Sequence, residues 1–239
     1  MTRLTFTLRV EPPERLDLSP LTPRKLNGMA REEIERTRLG LSKRSLSVGD
    51  LFRVSGDNAE DIVFEGGSER FDGVGTDMSE GTVRVEGDAG AQAGRRMAGG
   101  SLFIGGHAGP HAGSGMTGGR IDILGDAGDF AGGPLAGEMR GMNGGVLIVR
   151  GRAGDRIGDR MRRGLITVLG GCGDYAGSRM IAGTLAIAGG VGHLPGYLMR
   201  RGSILLDRPP EELSPSFVES GSWEQSVDPT NRLCGATRD

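Results

Sequence analysis

Aliphatic residues in the middle of the chain fall in pairs with one residue between them, and the pairs return at a fixed interval. They are Val83/Val85, Leu102/Ile104, Ile121/Ile123, Leu147/Val149, Ile166/Val168, Leu185/Ile187 and Ile204/Leu206. Period-two alternation over so few residues predicts short strands with one face turned inward. Methionines keep the same interval: Met78, Met97, Met116, Met142, Met161, Met180 and Met199 stand 19 residues apart, with one step of 26. Glycines keep it too, in three columns headed by Gly81, Gly87 and Gly90. The unit reads Met-x-x-Gly-x-a-x-a-x-Gly-x-Ala-Gly-x-x-Ala-Gly-x-x, where a is aliphatic.

One such strand cannot bury its apolar face alone, but stacked units bury a continuous core. The pattern predicts an all-β fold, a right-handed parallel β-helix (solenoid) of about seven 19-residue coils with a mixed α/β N-terminal cap. The hand follows from the bias of parallel crossovers. Seven coils at about 4.8 Å give a rod roughly 35 Å long. Ala89, Ala108, Ala127, Ala153, Cys172 and Val191 form a second inward column and the methionines a third. The glycines are expected at corners that need positive φ, including Gly125. The long unit carries seven extra residues, roughly Gly133 to Met139, expected to bulge outward.

The ends lack the repeat. Residues 1–72 read as the cap: Leu4, Phe6, Leu8 and Val10 alternate like a strand, Thr22-Pro23 opens a helix, and Ala30 to Arg36 is a second. Leu51–Val54 and Ile62–Phe64 read as strands leading into the first regular coil. Residues 73–206 are the glycine-rich β-helix and 207–239 an irregular tail.

Composition removes several alternatives. Glycine contributes 45 of 239 residues, far above the usual 7% or so. The glycines do not fall at every third position, which excludes collagen. Evenly spread apolar residues and a net charge of only −2 argue against disorder. Two cysteines, Cys172 and Cys234, do not make a disulfide framework. No apolar run has signal-peptide or membrane length, so a cytoplasmic chain is expected.

No catalytic, cofactor-binding or metal residue is expected in this chain. Gly113-Ser-Gly-Met-Thr-Gly118 matches a dinucleotide loop, but its glycines lie on or beside the repeat columns and no helix of adequate length follows. His107 and His111 take outward corner positions, and a zinc site would need three or four convergent ligands. Asp129, Asp155 and Asp174 share an outward column, read as an exposed face neutralised by arginines. Charge is uneven. Residues 140–201 hold ten Arg and three Asp, net +7, while residues 1–90 and 207–239 are each net −4. Arg160, Arg162, Arg163, Arg179, Arg200 and Arg201 cluster around the Met column, a patch suited to an acidic protein surface or a polyanionic ligand. Nucleic acid fits less well, without interleaved aromatics. Pro134, Leu135 and Met139 are apolar for a loop, and Phe217 and Trp223 lie where no repeat can bury them. All are candidate partner contacts.

Three stretches carry a resemblance. The coils are similar to the C-terminal β-helix of the glutamate synthase large subunit and to the formylmethanofuran dehydrogenase C-subunit family. The lead-in Leu39 to Val54, with Ser47-Val-Gly-Asp-Leu-Phe52, and the interrupted coil Gly137-Glu-Met-Arg-Gly-Met-Asn-Gly-Gly145 resemble the second family. The near-exclusive use of Arg over Lys tilts the resemblance to its version in formyltransferase/hydrolase complexes of methylotrophic bacteria. The resemblance implies a non-catalytic scaffold in tetrahydromethanopterin- and methanofuran-dependent one-carbon metabolism. It implies three partners: an A-type, zinc amidohydrolase-like subunit, a formyltransferase subunit and a B-like subunit. Zinc belongs to a partner, and molybdopterin enters only if the partner complex is a true dehydrogenase. A polyglutamylated methanofuran-type carrier is a further contact, and no membrane is involved. The alternatives are a spacer domain of a glutamate synthase-like system and a polysaccharide-acting β-helix enzyme. The second would need a long acidic cleft and more than 4% aromatic residues.

Overall fold

The computed structural model describes residues 2–40, 46–213, 217–218 and 235–236. Trp223 and Cys234 lie outside the described residues. The elements in order are β1 (Arg3–Leu8), β2 (Leu16–Asp17), α1 (Pro23–Leu26), α2 (Arg31–Arg36), α3 (Val48–Leu51), β3 (Phe52–Ser55), β4 (Asn58–Glu65) and β5 (Phe71–Asp72). Then come the repeat strands β6 (Thr82–Glu86), β7 (Ser101–Ile104), β8 (Arg120–Ile123), β9 (Asn143–Val149), β10 (Arg163–Val168), β11 (Thr184–Ile187) and β12 (Ser203–Leu206), and last β13 (Gly235–Ala236).

The repeat strands form one parallel ladder in sequence order, the signature of a parallel β-helix. Register follows the aliphatic pairs: Val83 faces Leu102, Leu102 faces Ile121, Ile121 faces Leu147, and so on to Ile204. The ladder is longer than the repeat. Strand β4 supplies a further rung, with Ile62 beside Val83 and Phe64 beside Val85, and β1 pairs parallel to β4. Those rungs lack the Met-Gly signature because the cap fills its interior differently. Phe6, Phe52, Phe64 and Phe71 are fully buried, with Phe6 and Phe64 stacked at 5.0 Å. Beyond β1 the antiparallel β3 closes the edge, and at the far end β13 runs antiparallel to β12, which leaves fewer open edges for aggregation.

Both expected helices form. In α2 the Glu33 carboxylate accepts the Ala30 N–H at 3.1 Å, which holds the first turn. Leu51, expected to open the strand, instead ends the helical turn α3, and β3 begins one residue later. Asp50 accepts from the Ser47 N–H at 2.8 Å and its hydroxyl at 2.6 Å, which holds the turn as a capping box.

Inside the coils the three inward columns are as the spacing predicts. Ala89, Ala108, Ala127, Ala153 and Cys172 are linked by parallel bridges, and Met78 through Met199 are buried. The glycines have two separate causes. Gly119 and its column do adopt positive φ, +80° at Gly119. Gly125 does not. A Cβ there would sit 2.6 Å from the Gly106 carbonyl oxygen and 3.0 Å from the His107 nitrogen, so the cause is the close approach of successive coils rather than backbone strain. The left-handed corners are partly filled by other residues, among them Gln92, His111, Phe130, Arg156 and Tyr175.

Candidate interaction surface

The outward polar groups are the first place to look for chemistry, and most are committed to neighbouring coils. Asp129 Oδ1 accepts the Asp155 N–H at 2.8 Å, Asp155 Oδ1 accepts the Asp174 N–H at 2.8 Å, and Asp174 Oδ1 accepts the His193 N–H at 2.7 Å. No arginine neutralises this column among the described residues. Backbone N–H groups do so instead, one oxygen per coil, and the carboxylates are structural. A parallel column runs beside it. Asp88 accepts the His107 N–H, His107 Nδ1 accepts the Asp126 N–H at 3.0 Å, and Asp126 accepts the Arg152 N–H. His107 therefore does an aspartate's work as an acceptor.

His111 is not a free outward histidine. It stacks on Phe130 at 5.1 Å with the rings 17° apart, below the interrupted-coil loop. Burial pushes its pKa down, against the pull of Glu138, Asp129 and the Pro134 carbonyl. Arg156 continues the column, lying over the Tyr175 ring at 4.5 Å. Cys172 is buried, and desolvation raises its thiol to about 12, so it remains a protonated, inert filler of the alanine column. Among the described residues no three His, Cys, Asp or Glu side chains converge, and no helix is long and apolar enough to cross a membrane.

The loop does not simply bulge. Pro134 is buried and Leu135 half-buried, while Met139 is 70% exposed. The loop is pinned from both sides: Arg95, two coils back, pairs with Glu138 at 2.8 Å, and Arg160 Nη1 donates to the Glu138 carbonyl at 3.3 Å and lies 3.3 Å from Met139 Sδ. Burial disfavours ionisation of Glu138, but Arg95 and the Leu135 N–H outweigh it and hold the carboxyl below its usual range. Of the three apolar loop residues expected to meet a partner, Pro134 cannot, because the chain itself covers it.

The six arginines separate into two groups. Arg179 bonds the buried Asp159 through Nε at 3.0 Å and Nη2 at 2.8 Å, and the Ser178 hydroxyl donates to the same carboxylate at 2.6 Å. Arg160 lies 3.9 Å from Asp159 while holding the loop. Both brace the fold internally, a role that sequence could not supply because Asp159 lies in a column of unlike residues. Arg162, Arg163, Arg200 and Arg201 remain together. With Asn143, Ile181 and Ala182 they line a concavity of about 680 Å³. None of the four has a carboxylate partner among the described residues, and the Arg162 Nε is buried with no acceptor. The Phe217 ring seats against Gly196 at the end of the core and is partly buried there.

The outward side of the ladder carries no signal in the 19-residue pattern, which is set by the inward pairs. Val146, Ile148, Leu165, Leu169, Ala186 and Leu205 all point away from the core, and Leu124 is 56%, Leu169 46% and Leu165 37% exposed. The same face is polar toward the N-terminus, where Arg3 and Arg84 approach Asp61 and Arg84 lies over Phe103 at 4.6 Å. Asp122 marks the border. Its burial works against ionisation, but Arg120 at 2.8 Å and Arg150 at 3.1 Å hold its carboxyl below the ordinary range.

A parallel β-helix whose buried and half-buried polar groups serve coil-to-coil contacts, and whose surface offers unpaired arginines beside apolar side chains, is a scaffold module for protein assembly. Likeness to known proteins narrows the class. No family model matches the chain. Its fold is that of a chain in the crystal structure of the formyltransferase/hydrolase complex (FhcABCD) from Methylorubrum extorquens in complex with methylofuran. The sequences are 46% identical, with a TM-score of 0.88 over 93% of this chain and 83% of that one. It is also 48% identical over 86 residues to the C subunit of the formyltransferase/hydrolase complex Fhc of Methylorubrum extorquens, a stretch covering 36% of this chain and 32% of the relative. The matched stretch thus spans about a third of that curated relative's length. The chain belongs to the family of formyltransferase/hydrolase complex C subunits.

Proposed function

We propose that this chain is the non-catalytic scaffold subunit of a cytoplasmic formyl-transfer complex in tetrahydromethanopterin- and methanofuran-dependent one-carbon metabolism. The observation that carries the reading is the match at 46% identity over 93% of the chain to a component of the FhcABCD complex. The aspartate columns, His107 and Asp159 are each engaged by the fold itself. Chemistry then resides in the partners: an A-type, zinc amidohydrolase-like subunit, a formyltransferase subunit and a B-like subunit. Molybdopterin would enter only with a dehydrogenase partner. A methanofuran-type carrier with a polyglutamate arm is the shared substrate.

The test is affinity purification of the tagged chain from its native cells, with mass spectrometry of what accompanies it and a formyl-transfer assay of each fraction. A hetero-oligomer with transfer activity, and an inactive isolated chain, is the expected result. A chain that purifies alone, or turns over a formyl carrier by itself, overturns the reading.

A further inference from the structure

We infer that the outward face of β8–β12, with the Arg162/Arg163/Arg200/Arg201 concavity along its edge, is the docking surface for a partner protein. The partner surface it fits is apolar at its centre and acidic along one flank. This deepens the scaffold reading and rests on it.

Three observations carry the inference. The first is the grouping of apolar side chains. In a sheet wetted on one face, outward positions are ordinarily polar. Here β1 and β6 follow that rule, with Thr5, Arg84 and Glu86 outward, and β4 carries Glu65 and Val63 outward. From Leu124 onward apolar residues enter the outward positions: Val146 pairs with Leu165, and Ile148, Ala186 and Leu205 share a row with Thr167, while Arg150, Thr184 and Ser203 keep the face partly polar. Five strands about 4.8 Å apart, each showing five residues at about 3.3 Å, make a flat area of roughly 400 Å². Apolar side chains occupy part of that face, and exposed aliphatic residues grouped on one side of a sheet mark a contact site.

The second observation is charge. Strand β10 begins at Arg163 and β12 follows closely on Arg201, so the concavity opens at the strand-entry edge of the same face. Four guanidiniums without a carboxylate among the described residues repel one another until an acidic surface meets them. The third is size. A stable protein interface buries about 800 Å² per partner. The face as a whole supplies about half of that, and the arginine concavity lies along its edge. Centre and rim thus have the composition of an interface, aliphatic in the middle and charged at the margin.

The test uses the whole complex. Tagged chains carrying Leu165→Asp with Leu169→Asp, Arg163→Glu with Arg201→Glu, or Met139→Asp are co-expressed with the native partners, and partner recovery is measured by quantitative co-purification. Melting of each isolated variant by circular dichroism checks folding; Ile148→Lys is a second face variant should the double substitution unfold. The expected result is at least a tenfold loss of partner recovery for the leucine variants with an unchanged melt. The arginine variant should lose less, and its recovery should no longer fall with added salt as the parent's does. Normal recovery with the leucine variants overturns the inference. So does loss of partner only with Met139→Asp, which would place docking on the loop. A parent chain that dimerises by itself, through contacts the leucine variants break, would assign the face to a second copy and also overturn it. A parent that recovers no partner at all fails the scaffold reading, and the inference falls with it.

Discussion

Three glycine-to-alanine substitutions separate the two reasons for glycine in these coils. Gly137 has φ +85° and nothing within 4 Å of a built Cβ, so Gly137→Ala should cost only left-handed strain, about 1 kcal/mol. Gly125 has no such strain, but its Cβ would meet the Gly106 carbonyl oxygen at 2.6 Å and carbon at 2.7 Å. An ordinary contact needs about 0.8 Å more. Opening the coils that far stretches Gly125 N–H to Gly106 O, Leu124 N–H to Ile104 O and Asp126 N–H to His107 Nδ1, now 2.8, 2.9 and 3.0 Å, beyond bonding range. At about 1 kcal/mol each, Gly125→Ala should cost roughly 3 kcal/mol. Gly119 combines φ +80° with contacts of 2.8 Å to the Gly100 oxygen and the Met97 methyl, so Gly119→Ala should cost most, roughly 4 kcal/mol. Urea unfolding of the full chain, followed by far-ultraviolet circular dichroism, reads all three. If Gly125→Ala lies within about 0.5 kcal/mol of the parent, the coils are not as closely stacked as argued.

Asp159→Asn should destabilise the chain by about 3 kcal/mol, because it weakens a buried carboxylate shared by Ser178 and Arg179; equal denaturation midpoints would refute this. The Cys172 thiol, raised to about 12, should resist alkylation at pH 8 until the chain unfolds, and rapid native labelling would contradict its burial. His111 gives a pH signature. Its folded pKa is depressed, chiefly by burial, so the unfolded chain takes up a proton first as pH drops below about 6.5. The parent's stability advantage over His111→Phe should be constant above pH 7 and shrink as the pH falls through that value. An advantage that grows on acidification would reverse the assignment.

The fold was legible because its signals are periodic. Each aliphatic pair, Met and Gly recurs on the next rung, so a chain read with a 19-residue ruler stacks itself. The rung at Ile62 and Phe64 reads in sequence only as a lead-in because aromatic packing with Phe6 and Phe52 replaces the repeat there. The cause of glycine at Gly125 is hidden from sequence, since nothing in one coil reveals how near the previous backbone passes. The surface is harder still. Pro134, Arg160, Arg179 and Phe217 look outward from sequence, yet each meets a contact from a distant or unlike position: the loop's own cover, Glu138, Asp159 and Gly196. The apolar outer face escapes because residues such as Ile148 and Leu169 break no local rule. They matter only once five rungs lie side by side.

Because every rung repeats the spacing of the last, the molecule is graduated. From β6 to β12 there are six equal steps, about 29 Å in divisions of roughly 4.8 Å. The separation of whatever sits at its two ends can therefore change only in whole divisions, by gain or loss of a 19-residue unit. Fine adjustment must come from the bodies attached to it, so in such an assembly this chain sets the gauge and its neighbours evolve to fit.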